Sequence, residues 1–140
     1  GINQWDIDKG LPAKKMMNER EINNWIDGGM EIGSRSQNHT NLTKCKTEIA
    51  FNEINQSKLD LEKRFNTPIH HFCYPYGNVN ESIVSITKKA GYQTAVTTKR
   101  ARATTSDNYL LLPRVKVTHH TLLHLFLLKI LSNYEDKRRK

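Results

Sequence analysis

Apolar and polar positions along this chain change period several times, and each change marks an element. Asn18, followed three residues on by Glu21, is a cap-and-return pair that predicts a short helix through Ile22, Trp25 and Ile26, closed by Gly28 in a left-handed conformation. Met30-Glu31-Ile32-Gly33-Ser34 alternates apolar with polar or small residues and predicts a short strand, after which comes a loop holding His39. From about Thr43 to Phe65 no Gly or Pro intervenes, and Phe51, Ile54, Leu61 and Phe65 fall on one stripe of a long helix along which Lys58 can lay its stem. Asn66-Thr67-Pro68 ends it. His71-Phe72-Cys73-Tyr74 then reads as a strand running into the turn Pro75-Tyr76-Gly77. Asn80 caps a helix carrying Ile83, Ile86 and Ala90, Gly91 stops it, and Tyr92 to Thr98 and Leu110 to Val117 are the next strands. Leu122 to Leu131, broken by His124 and Lys129, predicts a packing helix, since its ten residues fall short of the ~20 that span a bilayer.

Helix and strand in alternation predict a parallel sheet flanked by helices, either open or closed into a barrel. At 140 residues the chain has the length of a single domain. Its apolar content of 36% counts Tyr but not Gly, and exchanging the two leaves it under the roughly 45–50% usual for globular domains, so a complete core is not assured. Lys and Arg number 22 against 14 Asp and Glu, a net charge of +8 that favours anionic partners without specifying one. The charge gathers at Lys99, Arg100 and Arg102 and in a tail over about 135–140 that ends Lys137-Arg138-Arg139-Lys140. A solvated loop and tail are expected there, not a specific nucleic-acid site, because phosphate binding needs a basic face spread along one surface. Cys45 and Cys73 lack metal spacing and read as free thiols. Gly1 to Trp5 reads as the middle of a longer polypeptide, which would put any export signal out of view and leaves cell envelope and cytoplasm both open.

Five stretches, in order, resemble the polysaccharide deacetylases with a NodB-homology domain, carbohydrate esterase family four. Gly29 to His39, with Gly33-Ser34-Arg35-Ser36-Gln37-Asn38-His39 at its end, is similar to the segment where Gly-Ser-His-Thr is followed three residues later by a second His. Glu48 to Glu62 matches the helix after it, and Phe72-Cys73-Tyr74-Pro75-Tyr76-Gly77 the third stretch. Lys89 to Ala95 and Leu112-Pro113-Arg114-Val115 form the pairing usual toward the C-terminal end of that domain. The match runs from about Trp25 to Val117. It implies an α/β fold: a distorted (β/α) barrel, here incomplete and lacking its first strands, with residues 1–140 forming one partial domain. The activity it implies is hydrolysis of the N-acetyl group of a glycan sugar with a divalent metal, zinc or similar, held by one Asp and two His.

Amide hydrolysis needs an activated water, a base, an oxyanion stabiliser and an acid for the leaving amine. In the family a Thr-Phe-Asp-Asp-Gly stretch supplies base and carboxylate ligand, yet these 140 residues contain no Asp-Asp pair. Upstream of Gly33 the acids are Asp6, Asp8, Glu19, Glu21, Asp27 and Glu31, none in that setting. Arg35 stands where the resemblance puts the first ligand His, and a guanidinium has no acceptor and does not deprotonate. Of the implied metal ligands only His39 remains, so no tight metal and no hydrolysis are expected of the chain by itself. His70, His71, His119 and His120 lie outside the motif; His119 is the one considered as general acid. Two readings of Arg35 stay open: a fixed charge near the metal position that attracts anions or sugar hydroxyls, or decay after loss of the site. The resemblance assigns Tyr76 the backbone N–H that faces the oxyanion, with Tyr74, Pro75 and Gly77 shaping the turn that meets substrate, although an aromatic turn packed for its own sake fits the same residues. Arg114 matches the arginine that orients the catalytic carboxylate, and without that Asp it is expected to turn to another acid or a backbone carbonyl. The partner implied is an N-acetylated polysaccharide. A non-catalytic glycan-binding module, its cleft lined by Tyr74, Tyr76 and Trp25, is the alternative, and self-association through uncovered barrel surfaces is expected to accompany either.

Overall fold

The computed structural model describes residues 2, 7, 8, 10 and 12–138, the last without its side chain. Trp5 and Asp6, together with Arg139 and Lys140 of the tail, lie outside the described residues. The chain divides into a unit of residues 1–32 and a larger one of residues 33–140. In the first, α1 (Glu19–Asp27) opens as its capping pair dictates: Glu21 N–H donates to Asn18 Oδ1 at 3.0 Å and Asn18 N–H to Glu21 Oε2 at 2.7 Å. The reversal at its end falls one residue later than expected. Gly28 keeps φ −74°, and Gly29, at φ 81°, takes the left-handed conformation.

The second unit begins at a close approach of two backbone segments. A Cβ on Gly33 would lie 3.0 Å from the His71 carbonyl oxygen. Ser34 then pairs with Phe72 as an isolated parallel bridge. The strand expected over Met30 to Ser34 is thus reduced to that single pairing. The long helix, α2 (Thr47–Phe65), starts four residues later than the sequence pattern suggests, because Leu42–Lys44 forms a separate 3-10 turn and Cys45 and Lys46 are extended. Asn66 ends α2 at φ 47°. The buried face of α2 is Ala50, Glu53, Ile54 and Ser57, at i, i+3, i+4 and i+7. Phe51, Leu61 and Phe65 are only half-buried along its border. Lys58 lies where its stem predicts, with Nζ 3.1 Å from Glu62, hydrogen-bonded to the Ile69 carbonyl and 5.0 Å above the Tyr92 ring.

The sheet is parallel and ordered β1-β2-β3, from β1 (His71–Cys73), β2 (Thr94–Arg100) and β3 (Leu112–Arg114). Between α2 and the sheet lie Ile54, Phe72, Tyr92 and Ala95, all buried, and the Tyr92 hydroxyl donates to the Ile54 carbonyl at 3.1 Å. α3 (Glu81–Lys89), capped by Asn80 on Ile83 N–H at 3.0 Å, connects β1 to β2 and packs against α2. From Val96 opposite Leu112 to Arg100 opposite Arg114, β2 advances four residues while β3 advances two. The surplus bulges at Thr97 to Lys99. The last strand is far shorter than Leu110 to Val117, since Pro113 has no N–H to extend the ladder.

α4 (Leu123–Leu131) forms where expected but faces the other way: its buried residue is Lys129, while Leu123 and Leu131 are more than 70% exposed. Nor is the tail free from residue 135. Glu135 is fully buried and ion-paired to Arg100 Nε and Lys129 Nζ, each at 2.9 Å, and Asp136 receives Arg102 at 2.8 Å. Both acids fall within the stretch expected to be a basic tail; the clustered arginines that precede them in sequence are what they bind.

Candidate functional site around His39 and Tyr76

The carboxyl ends of parallel strands are where α/β sheets place ligands, and two loops meet there. The first leaves the sheet at Ser34, whose N–H donates to the His71 carbonyl at 2.9 Å and whose carbonyl accepts from Cys73 N–H at 2.8 Å. The Ser34 hydroxyl lies 2.7 Å from that of Ser57 on α2. Further along, Glu53 reaches from α2 to accept Asn38 N–H at 2.8 Å and Asn38 Nδ2 at 2.7 Å, and Gln37 Nε2 donates to Asp60 at 3.0 Å. Burial acts to raise the Glu53 carboxyl, but hydrogen bonds from Asn38, Thr40 and Gln37 outweigh it and hold the group below its ordinary value. α2 therefore clamps the loop in a shape it would not choose alone. Ser36 at φ 63° and His39 at φ 54° are both left-handed, a conformation that costs a non-glycine residue about 1–3 kcal/mol.

The clamp sets His39 against the second loop. Its ring meets that of Tyr76 edge to face, with centroids 4.7 Å apart. Tyr76 is itself left-handed, φ 60° and ψ −1°, and Gly77 follows at φ 73°. Gly77 N–H donates to the Tyr74 carbonyl at 2.9 Å, closing the turn. A Cβ at position 77 would fall 2.1 Å from Thr98 Oγ1, so the turn is seated directly on the β2 bulge. Pro75 is buried. Tyr76 remains 44% exposed, but Tyr74 does not line a cleft: its ring is fully buried and its hydroxyl donates to the Leu110 carbonyl at 2.9 Å. Burial pushes that phenol up from its ordinary value. Tyr74 supports the turn from beneath, and the rim is left to Tyr76.

Arg114, at the end of β3, donates from Nε to the Thr97 carbonyl at 2.6 Å, which fixes it on the bulge. It borders a cavity of about 480 Å³ with Thr98, Arg100 and Lys116. A larger cavity, about 800 Å³, lies beyond Gly77 between Asn80, Lys88, Thr98 and Asn108. His39 and Arg35 line neither, so the larger volume is not where the motif residues converge.

The donor set at His39 does not fit a divalent metal. Beside its imidazole the motif offers the exposed guanidinium of Arg35 and the Ser36 hydroxyl, which is buried with no hydrogen-bond partner among the described residues. One is a permanent cation and the other a neutral oxygen, whereas such sites need anionic or imidazole ligands. No group of three or more His, Cys, Asp or Glu among the described residues could hold a metal ion. His71 Nδ1 lies 2.7 Å from Thr94 Oγ1, and the exposed His119 stacks on His120 with centroids 3.7 Å apart. Sequence reasoning missed Glu53. Its signal was available: an acid among Ala50, Ile54 and Ser57, the positions that prove to be the buried face.

A family profile described as polysaccharide deacetylase matches residues 4–95. Among curated proteins, YxkH of Bacillus subtilis, named for this family, is 27% identical over 112 residues, covering 80% of this chain and 40% of its own length. A poly-beta-1,6-N-acetyl-D-glucosamine N-deacetylase of Staphylococcus aureus is 26% identical over 88 residues, covering 63% of this chain and 30% of its own length. Among solved structures, a polysaccharide deacetylase from Bacillus cereus superposes with a TM-score of 0.76 at 30% identity, over 84% of this chain and 37% of that one. The chain thus spans less than half the length of these relatives.

Proposed function

The chain belongs to the polysaccharide deacetylase family, and from that premise we propose that its Ser34–His39 and Tyr74–Gly77 loops form the acyl-recognising part of a site for N-acetylated glycans, which these 140 residues do not hydrolyse by themselves. The observation that carries this reading is the contact between His39 and Tyr76, two left-handed residues held face to edge at 4.7 Å by a clamped loop and a glycine-locked turn. Strain of this kind persists where surrounding structure imposes it, commonly at functional sites.

Each residue then has a task. The backbone N–H of Tyr76 faces the acyl oxygen as charge develops on it. The exposed Tyr76 ring, backed by His39, offers an apolar surface to a pyranose. Arg35 supplies a fixed positive charge to sugar hydroxyls or anionic groups. Family membership carries a divalent metal at the level of the family; the donors here do not fit one, and no step is assigned to it. The substrate class proposed is a polymer of N-acetylated amino sugars, the class for which the Staphylococcus aureus relative is named.

The test uses the chain with a β-1,6-linked N-acetylglucosamine oligomer. Acetate release is expected to stay at the buffer blank with or without zinc, while calorimetry detects saturable binding that Tyr76→Ala weakens. Turnover with Arg35 in place overturns the inactivity, and absence of saturable binding overturns the recognition. A non-catalytic glycan-binding module is the second reading, favoured by the exposure of Tyr76 beside His39. Adding an upstream Asp-Asp-Gly strand together with Arg35→His separates the two: acetate appears only if the site is an incomplete catalytic one.

A further inference from the structure

α4 is turned inside out. In an ordinary surface helix the apolar stripe faces the core and charges face water; here Lys129 is 5% exposed while Leu123, Leu127, Leu128, Ile130 and Leu131 are 72%, 41%, 45%, 38% and 74% exposed. Leu123, Leu127, Ile130 and Leu131 stand at i, i+4, i+7 and i+8, so they form one continuous outward face with Leu128 at its border. The orientation is enforced from below. Lys129 Nζ lies 2.9 Å from the fully buried Glu135 and also donates to the Lys116 carbonyl, and Glu135 is held in turn by Arg100 Nε and Nη2 at 2.9 and 3.0 Å. Rotating the helix to bury its leucines would pull Lys129 out of that cluster and leave Glu135 with one partner fewer.

The segments that flank this helix in sequence expose one sign of charge. Between residues 108 and 138 the acids are Glu135 and Asp136, and both are ion-paired. The cations Arg114, Lys116 and Lys137 are exposed, as are the imidazoles of His119, His120 and His124. An apolar face on a helix whose flanking segments expose cations and hold both of their acids in ion pairs matches the interface of an anionic bilayer, where acyl chains meet negative headgroups. A second copy of the chain matches less well, since pairing two such faces sets cation against cation. Nine residues are too few to span a membrane, and a helix lying in the plane of the interface does not need to.

We propose that α4 is a membrane-surface docking element, its leucines entering the headgroup boundary of an anionic bilayer while the Lys129–Glu135–Arg100 cluster holds them outward. This is independent of the glycan reading, because no residue of α4 belongs to the His39 and Tyr76 site. The test is cosedimentation of the full chain with vesicles of equimolar phosphatidylglycerol and phosphatidylcholine, against phosphatidylcholine alone, at low and high salt. The chain is expected to pellet with the anionic vesicles, to release in part at high salt, and to lose about tenfold or more in partitioning when Leu123→Glu and Leu127→Glu are combined. Both positions are exposed, so circular dichroism should be unchanged; if helix is lost, Leu131→Ser at the most exposed position carries the comparison. Failure to pellet with anionic vesicles overturns the proposal. So does binding that survives the leucine substitutions, which would assign it to the basic tail alone, or a concentration-dependent dimer that those substitutions dissolve in a chain that leaves vesicles unbound.

Discussion

Two residues hold the candidate site in its shape. Gly77 is one: at φ 73° a side chain is strained, and a Cβ would overlap Thr98 Oγ1 at 2.1 Å. Gly77→Ala should therefore cost about 2–4 kcal/mol, strain and overlap together, read as a lower urea midpoint with an unchanged slope. Glu53 is the other. Its carboxylate is ionised in the fold at pH values where an unfolded carboxylate, at an ordinary value of 4.5, begins to take up a proton. Because the folded value is the lower one, its contribution is complete above that ordinary value and is lost as pH falls through the folded value. Glu53→Gln should cost about 1–3 kcal/mol at neutral pH and flatten the acid limb of a stability-against-pH curve; an unaltered limb would show that another group dominates it. Tyr76 and His39 could be picked out from the sequence as motif members, but their left-handed backbones could not. That geometry depends on Glu53 of α2 for one loop and Thr98 of β2 for the other, contacts 15 residues apart or more.

At the scale of elements, what was legible was local. The Asn18 and Asn80 caps could be found because each bond closes within three residues, and α2 because a long run without Gly or Pro carries an apolar stripe at helical spacing. Limits were less legible: Pro113 shortens β3, and the extended Cys45 and Lys46 delay the start of α2. The orientation of α4 was hidden for a different reason. Nothing within Leu122 to Leu131 indicates that Lys129 faces inward until Glu135 and Arg100 are both in place, and Arg100 is 35 residues from Glu135. Hydrogen bonds from Arg100, against an opposing effect of burial, and from Lys129 hold the Glu135 carboxyl down at about 2. Its stabilising contribution should thus be whole above an ordinary 4.5 and disappear as pH falls toward about 2. Glu135→Gln strands a buried ammonium and should cost about 3–5 kcal/mol. Combining it with Lys129→Met should return part of that loss in thermal unfolding; additive losses would mean that the two side chains are not coupled.

Over the whole molecule, the metal site that the family resemblance implies draws its ligands from parts far apart in the chain, so no single substitution is expected to rebuild it here. The sheet of three parallel strands carries the His39 loop and the Tyr76 turn at one end, yet neither brings a carboxylate to that end in the required setting. Arg35→His would restore a second imidazole beside His39 and remove a cation. Two neutral nitrogens still fall short of the three or four ligands that zinc ordinarily takes, and the buried Ser36 hydroxyl adds no anionic ligand. Titration with zinc should therefore show no tight site in the chain or in Arg35→His, and neither should be stabilised in a thermal melt beyond what surface histidines produce. Tight one-to-one binding by Arg35→His would mean that a third ligand already lies within reach of His39, and the incompleteness proposed for this site would then reduce to the single replacement at position 35.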